Sequence, residues 1–375
     1  MDPFGQYPEL YRRSQMKNKI LVTGILGQDG ANMAEFLLEQ PEGLEVYGMM
    51  RRSSVPNFKN IKKIKDHPRF NLCHGDLTDE VSINELVKRI QPDFFVNFAA
   101  NSFVGCSWDM PMQVFDVNSM GVIRCLEAIR KFQPKCKFYS AGSSEQFGDV
   151  DYSPQDMKHP MKPRSPYGAS KCAAHHIVKV YRESYDMYAI HGILFNHEGT
   201  KRGEEFVTRK ISKGVARIRN EIKSVDNWRG RHGEPAIFDP IELGFLDSKR
   251  DWSDSEDFVR GIWLMLNQDN PKDYLLASGV THSIRDFVEK AFSVAGLSGR
   301  WEGEGVDEKF IDAGGVHQYT FVKINPIFYR PAEVNLLLGD PSEIKEKLGW
   351  KPQISFDKLV ENMVLWDLDE IQNET

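Results

Sequence analysis

Lys19-Ile20-Leu21-Val22-Thr23 runs without a break into Gly24-Ile25-Leu26-Gly27-Gln28-Asp29-Gly30, and few folds accept such a junction. A short apolar run closed by glycines reads as a buried strand. The spacing of Met33, Phe36 and Leu37 behind it reads as one face of a helix. The alternation then repeats. Apolar runs at 44–50, 70–74, 93–99, 137–141 and 189–196 predict five further strands, with a helix carrying Leu86, Val87 and Ile90 between two of them. Strands that are apolar on both faces and separated by helices imply a parallel sheet covered on both sides. The expected class is α/β, a Rossmann-type doubly wound parallel sheet followed by a smaller mixed α/β C-terminal domain.

After Asn196 the rhythm breaks into charged helix and loop, including a stretch rich in Trp, Arg, Gly and Pro at 226–240. The expected domains are a flexible arm at 1–17, a dinucleotide-binding part at 18–196 plus 242–278, and a ligand-binding part at 197–241 plus 279–375. A net charge of −6 with 27% charged residues excludes nucleic-acid binding by bulk electrostatics. No apolar run approaches the ~20 residues of a membrane span, and residues 1–17 lack the apolar core of a secretion signal. The five cysteines form no Cys-x-x-Cys pair and read as free thiols of a reducing cytoplasm. His175 and His176 are adjacent rather than at ligand spacing, so no metal is expected.

Gly24, Gly27 and Gly30 permit a tight turn and close backbone approach, and a helix N-terminus offers donors and a positive dipole. Thr23, Gln28 and Asp29 complete this candidate cofactor site. An NAD site carries an acid about 20 residues further on. Here the second strand ends in Met50-Arg51-Arg52-Ser53-Ser54, and two guanidiniums with hydroxyls suit a 2′-phosphate, so NADP is expected. Asp76 and Leu77 follow the third strand, the carboxylate placed to accept from adenine. Ala99, Ala100 and Ser102 follow the fourth, where small residues let a cofactor lie against the sheet.

Tyr167 and Lys171 stand four apart, on one helical face. A nearby ammonium is expected to favour the phenolate and make the tyrosine a base. Ser143 and Glu145 follow the fifth strand. The hydroxyl can bond an alcohol and its developing ketone, and the carboxylate can take a carbon-bound proton that a ketone has acidified. Glu145 read alone is equally a helix N-terminal acid.

The chain resembles the GDP-mannose 4,6-dehydratase family of extended short-chain dehydrogenases/reductases. The resemblance is carried by Thr23 to Gly30, Arg51-Arg52-Ser53-Ser54, Gly75-Asp76-Leu77-Thr78-Asp79, and Pro163-Arg164-Ser165-Pro166-Tyr167. It continues through Gly192-Ile193-Leu194-Phe195-Asn196-His197-Glu198, Phe206-Val207-Thr208-Arg209-Lys210-Ile211, Arg250-Asp251-Trp252 and Tyr329-Arg330-Pro331-Ala332-Glu333-Val334. It implies that Tyr167 takes the sugar's 4-hydroxyl proton while hydride leaves C4 for NADP. Glu145 then removes the C5 proton, water leaves C6, and hydride returns to C6, giving GDP-4-keto-6-deoxymannose. Lys171 would hold the nicotinamide ribose and lower the tyrosine pKa, with Ser143 standing for the family's threonine. His197 and Arg202 would touch the cofactor. Asn196, Lys210, Arg250, Arg330 and Glu333 would hold the GDP-sugar. The arginine-rich loop would reach a neighbouring copy, giving a homodimer or homotetramer.

The chain also departs from that pattern. Gly142-Ser143 replaces Ser-Thr, Gln146-Phe147 replaces Leu-Tyr, Gln113 replaces a cofactor-side tyrosine, and the connection at 220–241 is longer. A GDP-manno-heptose therefore stays open as the substrate of the same chemistry. A nucleotide-sugar epimerase, which needs no Glu145 base, is the other alternative.

Overall fold

The computed structural model describes residues 18–41, 43–228, 235–314, 318–328 and 336–374. Its main sheet holds β1 (Lys19–Thr23), β2 (Glu45–Met50), β3 (Phe70–His74), β4 (Phe94–Asn97), β5 (Lys137–Ala141), β6 (Ala189–Leu194) and the short β10 (Leu275–Leu276). Their order is β10-β6-β5-β4-β1-β2-β3, and every neighbouring pair is parallel. Strand order reverses between β1 and β4, so a crevice opens at the carboxyl ends of those two strands.

Alternation along β1 divides the core. Ile20 and Val22 pack with Met33 and Leu37 of helix Gln28–Leu38 and with Phe258 and Ile262 of helix Ser255–Leu266. Leu21 faces the other way, against Leu86 and Ile90 of helix Glu80–Ile90, Leu126 of Gly121–Phe132, and Val178 of Pro166–Tyr185. Local chemistry sets where these helices begin. Asp79 accepts from Val81 N–H, Asp254 from Glu256 N–H, and Ser165 from Gly168 N–H with Pro166 in the first turn.

Two smaller sheets stand beyond the strand ends. One runs β12 (Gly299–Glu302), β13 (Lys309–Asp312), β14 (Thr320–Ile324) and β8 (Ile241–Leu243). Helices Val207–Trp228, Ile284–Val294 and Phe356–Glu374 share its apolar core through Ile211, Phe287 and Val360. The other joins β11 (Thr281–Ser283), β9 (Lys249–Asp254) and β15 (Leu336–Leu337), with β7 (Asn196–Glu198) pairing along β9.

Two sequence expectations differ here. The run at 189–196 is not one strand: β6 stops at Leu194, and Asn196 leaves the main sheet to pair with Trp252. Of residues 242–278, only helix Ser255–Leu266 and β10 join the main sheet layer; β9 belongs to the small sheet. β7 is short and polar, and β9 carries a single apolar residue yet is buried from Arg250 to Asp254, so composition alone could not say which sheet they join.

Candidate active site

The glycine turn after β1 is held by sterics. Gly24 has φ +66°, and a Cβ there would lie 2.9 Å from Ala99 N; a Cβ on Gly30 would lie 2.3 Å from Gly24 O. Thr23 supports this turn from behind. It is fully buried, its Oγ1 donating to Asn97 Oδ1 at 2.6 Å and accepting from Ala99 N–H at 3.0 Å. It therefore shapes the cleft rather than facing it, a correction to its place among the cofactor contacts. Helix Gln28–Leu38 starts at Gly27 with no side-chain cap among the described residues, so its first N–H groups remain for a ligand.

From this turn a cleft of about 1370 Å³ extends across the ends of β1 and β4 into the second layer. Its walls include Gly24, Gly27, Gln28, Asp29 and Gly30; Arg51, Ser53, Asp76 and Leu77; and Ala99, Ala100 and Ser102. Ser143, Glu145, Tyr167, Lys171, Asn196, His197, Arg202, Lys210 and Arg250 line the same space. Arg52 is exposed and off the wall. Arg330 and Glu333 lie outside the described residues.

Asp76 shapes its own loop, Oδ1 accepting from Thr78 N–H at 2.9 Å and from Thr78 Oγ1 at 2.8 Å. Asp29 Oδ2 lies 3.1 Å from His197 Nε2, and His197 Nδ1 lies 2.7 Å from Phe195 O. A ring facing a carboxylate and a carbonyl donates to both, which describes an imidazolium. Burial opposes that charge, but the Asp29 charge and hydrogen bond outweigh it and the His197 pKa rises. Burial likewise pushes Asp29 up, yet His197, then Arg202 and Gln28, bring it below its ordinary value. Asn196 adds a buried amide oxygen without a partner among the described residues.

At the reacting end, Ser165 and Pro166 start the helix that carries both Tyr167 and Lys171 to the wall. The ammonium donates to Ala141 O at 2.8 Å and lies 5.8 Å from the Tyr167 ring centroid. Burial works against the expected phenolate. Burial pushes Tyr167 up to about 12; a hydrogen bond from Ser143 opposes the shift and the Glu145 charge adds to it. Burial also pulls Lys171 down to about 8, with Asp29 opposing. Proximity in sequence promised an electrostatic pairing, but burial is the largest influence on both groups.

Some members of the site were given no role by the sequence. Glu198, buried, holds Arg202 Nε at 3.0 Å and Thr208 Oγ1 at 2.5 Å, fixing the segment that follows β7. Asn60 Nδ2 ties Leu26 O at 3.0 Å to Lys201 O at 3.1 Å. Phe328 packs its ring 3.5 Å from Lys210 Nζ. Asn60 and Phe328 sit in no motif, and only the fold brings them to the cleft.

A glycine turn at the strand-order reversal, facing a helix-borne Tyr167 and Lys171, defines an extended short-chain dehydrogenase/reductase. Solved structures agree on the fold. A dTDP-glucose 4,6-dehydratase from Bacillus anthracis in complex with NAD superposes with TM-score 0.74 at 19% identity, over 95% of this chain and 98% of that one. RMD from Pseudomonas aeruginosa complexed with NADPH gives TM-score 0.70 at 19% identity, over 95% and 99%. The family model for GDP-mannose 4,6 dehydratase matches residues 21–363. A GDP-mannose 4,6-dehydratase of Vibrio cholerae is 42% identical over 372 residues, covering 95% of each chain. The chain belongs to the GDP-mannose 4,6-dehydratase family.

Proposed function

We propose that the protein is an NADP-dependent hydro-lyase that converts GDP-mannose to GDP-4-keto-6-deoxymannose. One observation carries the reading: Ser143, Glu145, Tyr167 and Lys171 share a cleft with an uncapped helix N-terminus and with Asn196, Lys210 and Arg250. That family membership is established over nearly the whole chain supports the substrate.

The cleft suits a nicotinamide dinucleotide: the turn Gly24–Gly30 would hold its pyrophosphate, Arg51 and Ser53 a 2′-phosphate, and Asp76 and Leu77 the adenine. Ala99, Ala100 and Ser102 would lie along its length, and His197 and Arg202 on its far side. When bound, the oxidised nicotinamide would supply a hydride acceptor for C4 and the same hydride for C6. Tyr167 takes the 4-hydroxyl proton, and the Ser143 hydroxyl holds the oxygen as it becomes a ketone. The ketone acidifies C5–H; Glu145 removes that proton and delivers it to the C6 hydroxyl, which leaves as water. Tyr167 then returns the proton it took from the 4-hydroxyl to C5, restoring the saturated ketone. Lys171 orients the ribose. Lys210 and Arg250 face the pyrophosphate of the sugar nucleotide, and Arg330 and Glu333 belong to the same reading.

Glu145 on the cleft wall weighs against epimerisation, which requires no second base. Five unpaired cysteines are compatible with the cytoplasm, and no described helix is long and apolar enough to cross a membrane. A homodimer or homotetramer is part of the proposal; exposed Met112, Phe115 and Met120 along 111–132 support it. The test is incubation with GDP-mannose without added reductant, followed by mass analysis. Loss of one water without net cofactor reduction is expected, and an unchanged sugar nucleotide rejects the assignment.

A further inference from the structure

Behind the wall carrying Ser143 and Glu145 lies a fully buried polar pair, Gln146 and His191. Gln146 Oε1 accepts from the Ser143 backbone N–H at 2.9 Å and lies 3.0 Å from His191 Nε2. A backbone N–H can only donate, so that oxygen is an acceptor and the imidazole must also donate to it. His191 is thereby set as the Nε2–H tautomer. Its bare Nδ1 is buried and finds no hydrogen-bond partner among the described residues.

The ring is anchored from the backbone side. His191 N–H donates to Asp273 Oδ1 at 2.7 Å, and Arg182 grips the same carboxylate at 2.7 Å. Gly142 completes the fit: a Cβ there would lie 2.4 Å from His191 Nε2 and 2.7 Å from Gln146 Oε1. Glycine at 142 and glutamine at 146 are thus one accommodation rather than two separate departures. The turn they hold leads directly to the chemistry. Ser143 Oγ accepts from Glu145 N–H at 3.2 Å and hydrogen-bonds Tyr167.

We propose that Gln146 and His191 are positioning residues: the shared amide oxygen locks the 143–146 turn and so aims the Ser143 hydroxyl and the Glu145 carboxylate at the substrate. Their catalytic role rests on the dehydratase reading; their geometry does not. A neutral imidazole is required, since a second proton would face no acceptor at Nδ1. Burial, with His175 and Lys171 nearby, holds the His191 pKa well below its ordinary value.

Two measurements test this on the full-length protein. Nitrogen-15 chemical shifts of the His191 ring in the unmodified protein are expected to report Nε2–H with bare Nδ1; an Nδ1–H tautomer overturns the proposal whatever the enzyme's activity. Steady-state kinetics with GDP-mannose then compare Gln146→Leu, His191→Leu, the double variant and His191→Gln, whose amide can donate to the same oxygen. A misaimed turn is expected to lower kcat by about 10- to 100-fold in each leucine variant with KM within about threefold. The double variant should be no worse than the poorer single, and His191→Gln should recover most of the rate. Unchanged kcat in Gln146→Leu, or multiplicative losses in the double variant, overturns the proposal. A native protein that shows the expected tautomer but does not turn over GDP-mannose rejects the dehydratase reading and leaves the network standing.

Discussion

Arg209 and Asp367 form a buried ion pair at 2.9 Å, with 3% and 1% of their side chains exposed, between helices Val207–Trp228 and Phe356–Glu374. Ser212 Oγ donates to Asp367 at 2.6 Å, Glu370 lies 3.6 Å from Arg209, and Lys213 adds a weaker field. Burial raises the Asp367 pKa to about 6 despite Arg209. A carboxyl raised in the folded state binds its proton more tightly there than in the unfolded chain. Stability therefore falls as pH rises between the unfolded value of about 4 and the folded value near 6, by about 1.4 kcal/mol per pH unit. Above 6 both states are ionised and the loss stops, because Arg209 tolerates the carboxylate.

Arg209→Met removes that tolerance. The folded carboxyl stays protonated past neutrality, and the loss continues at about 1.4 kcal/mol per unit. Lost packing and guanidinium contacts add an offset that does not vary with pH. Relative to the native protein, the variant's deficit should be flat near pH 5, about 1.5 kcal/mol larger at pH 7, and about 3 kcal/mol larger at pH 8. Urea unfolding at pH 5, 6, 7 and 8 measures it, and Asp367→Asn in the same background should remove the slope. A deficit that is constant with pH, or that shrinks toward pH 8, would refute the account of this pair.

Glu145→Gln should lower kcat by about 10²- to 10⁴-fold, as loss of a positioned base does. Solvent deuterium exchange at C5 should vanish while substrate affinity stays within about threefold. Because burial lowers Lys171 to about 8, its ammonium is fully present below that pH and lost above it. The pH–rate profile should therefore decline above pH 8, and a profile still rising at pH 9 would dismiss the charge's role. Arg51→Ser should weaken NADP binding by about tenfold or more and leave NAD binding nearly unchanged, measured by calorimetry on cofactor-free protein. Equal losses for both cofactors would argue against a 2′-phosphate contact.

The sequence by itself determined the parallel sheet, the glycine turn and the placing of Tyr167 and Lys171 on one helical face. Each is written in a short window: apolar runs of strand length, glycines where the backbone must close on itself, and a four-residue spacing that any helix converts into adjacency. Tertiary structure alone decided the electrical state of those groups. Tyr167 answers to its burial and to Glu145 and Arg202, which restrain or raise it from other elements. Asp29 answers to His197, 168 residues away. The break between β6 and β7 and the contact of Gln146 with His191 are of the same kind. Periodicity is a property of neighbours along the chain, whereas desolvation and field are summed over whatever the topology brings near, and no local window contains that sum.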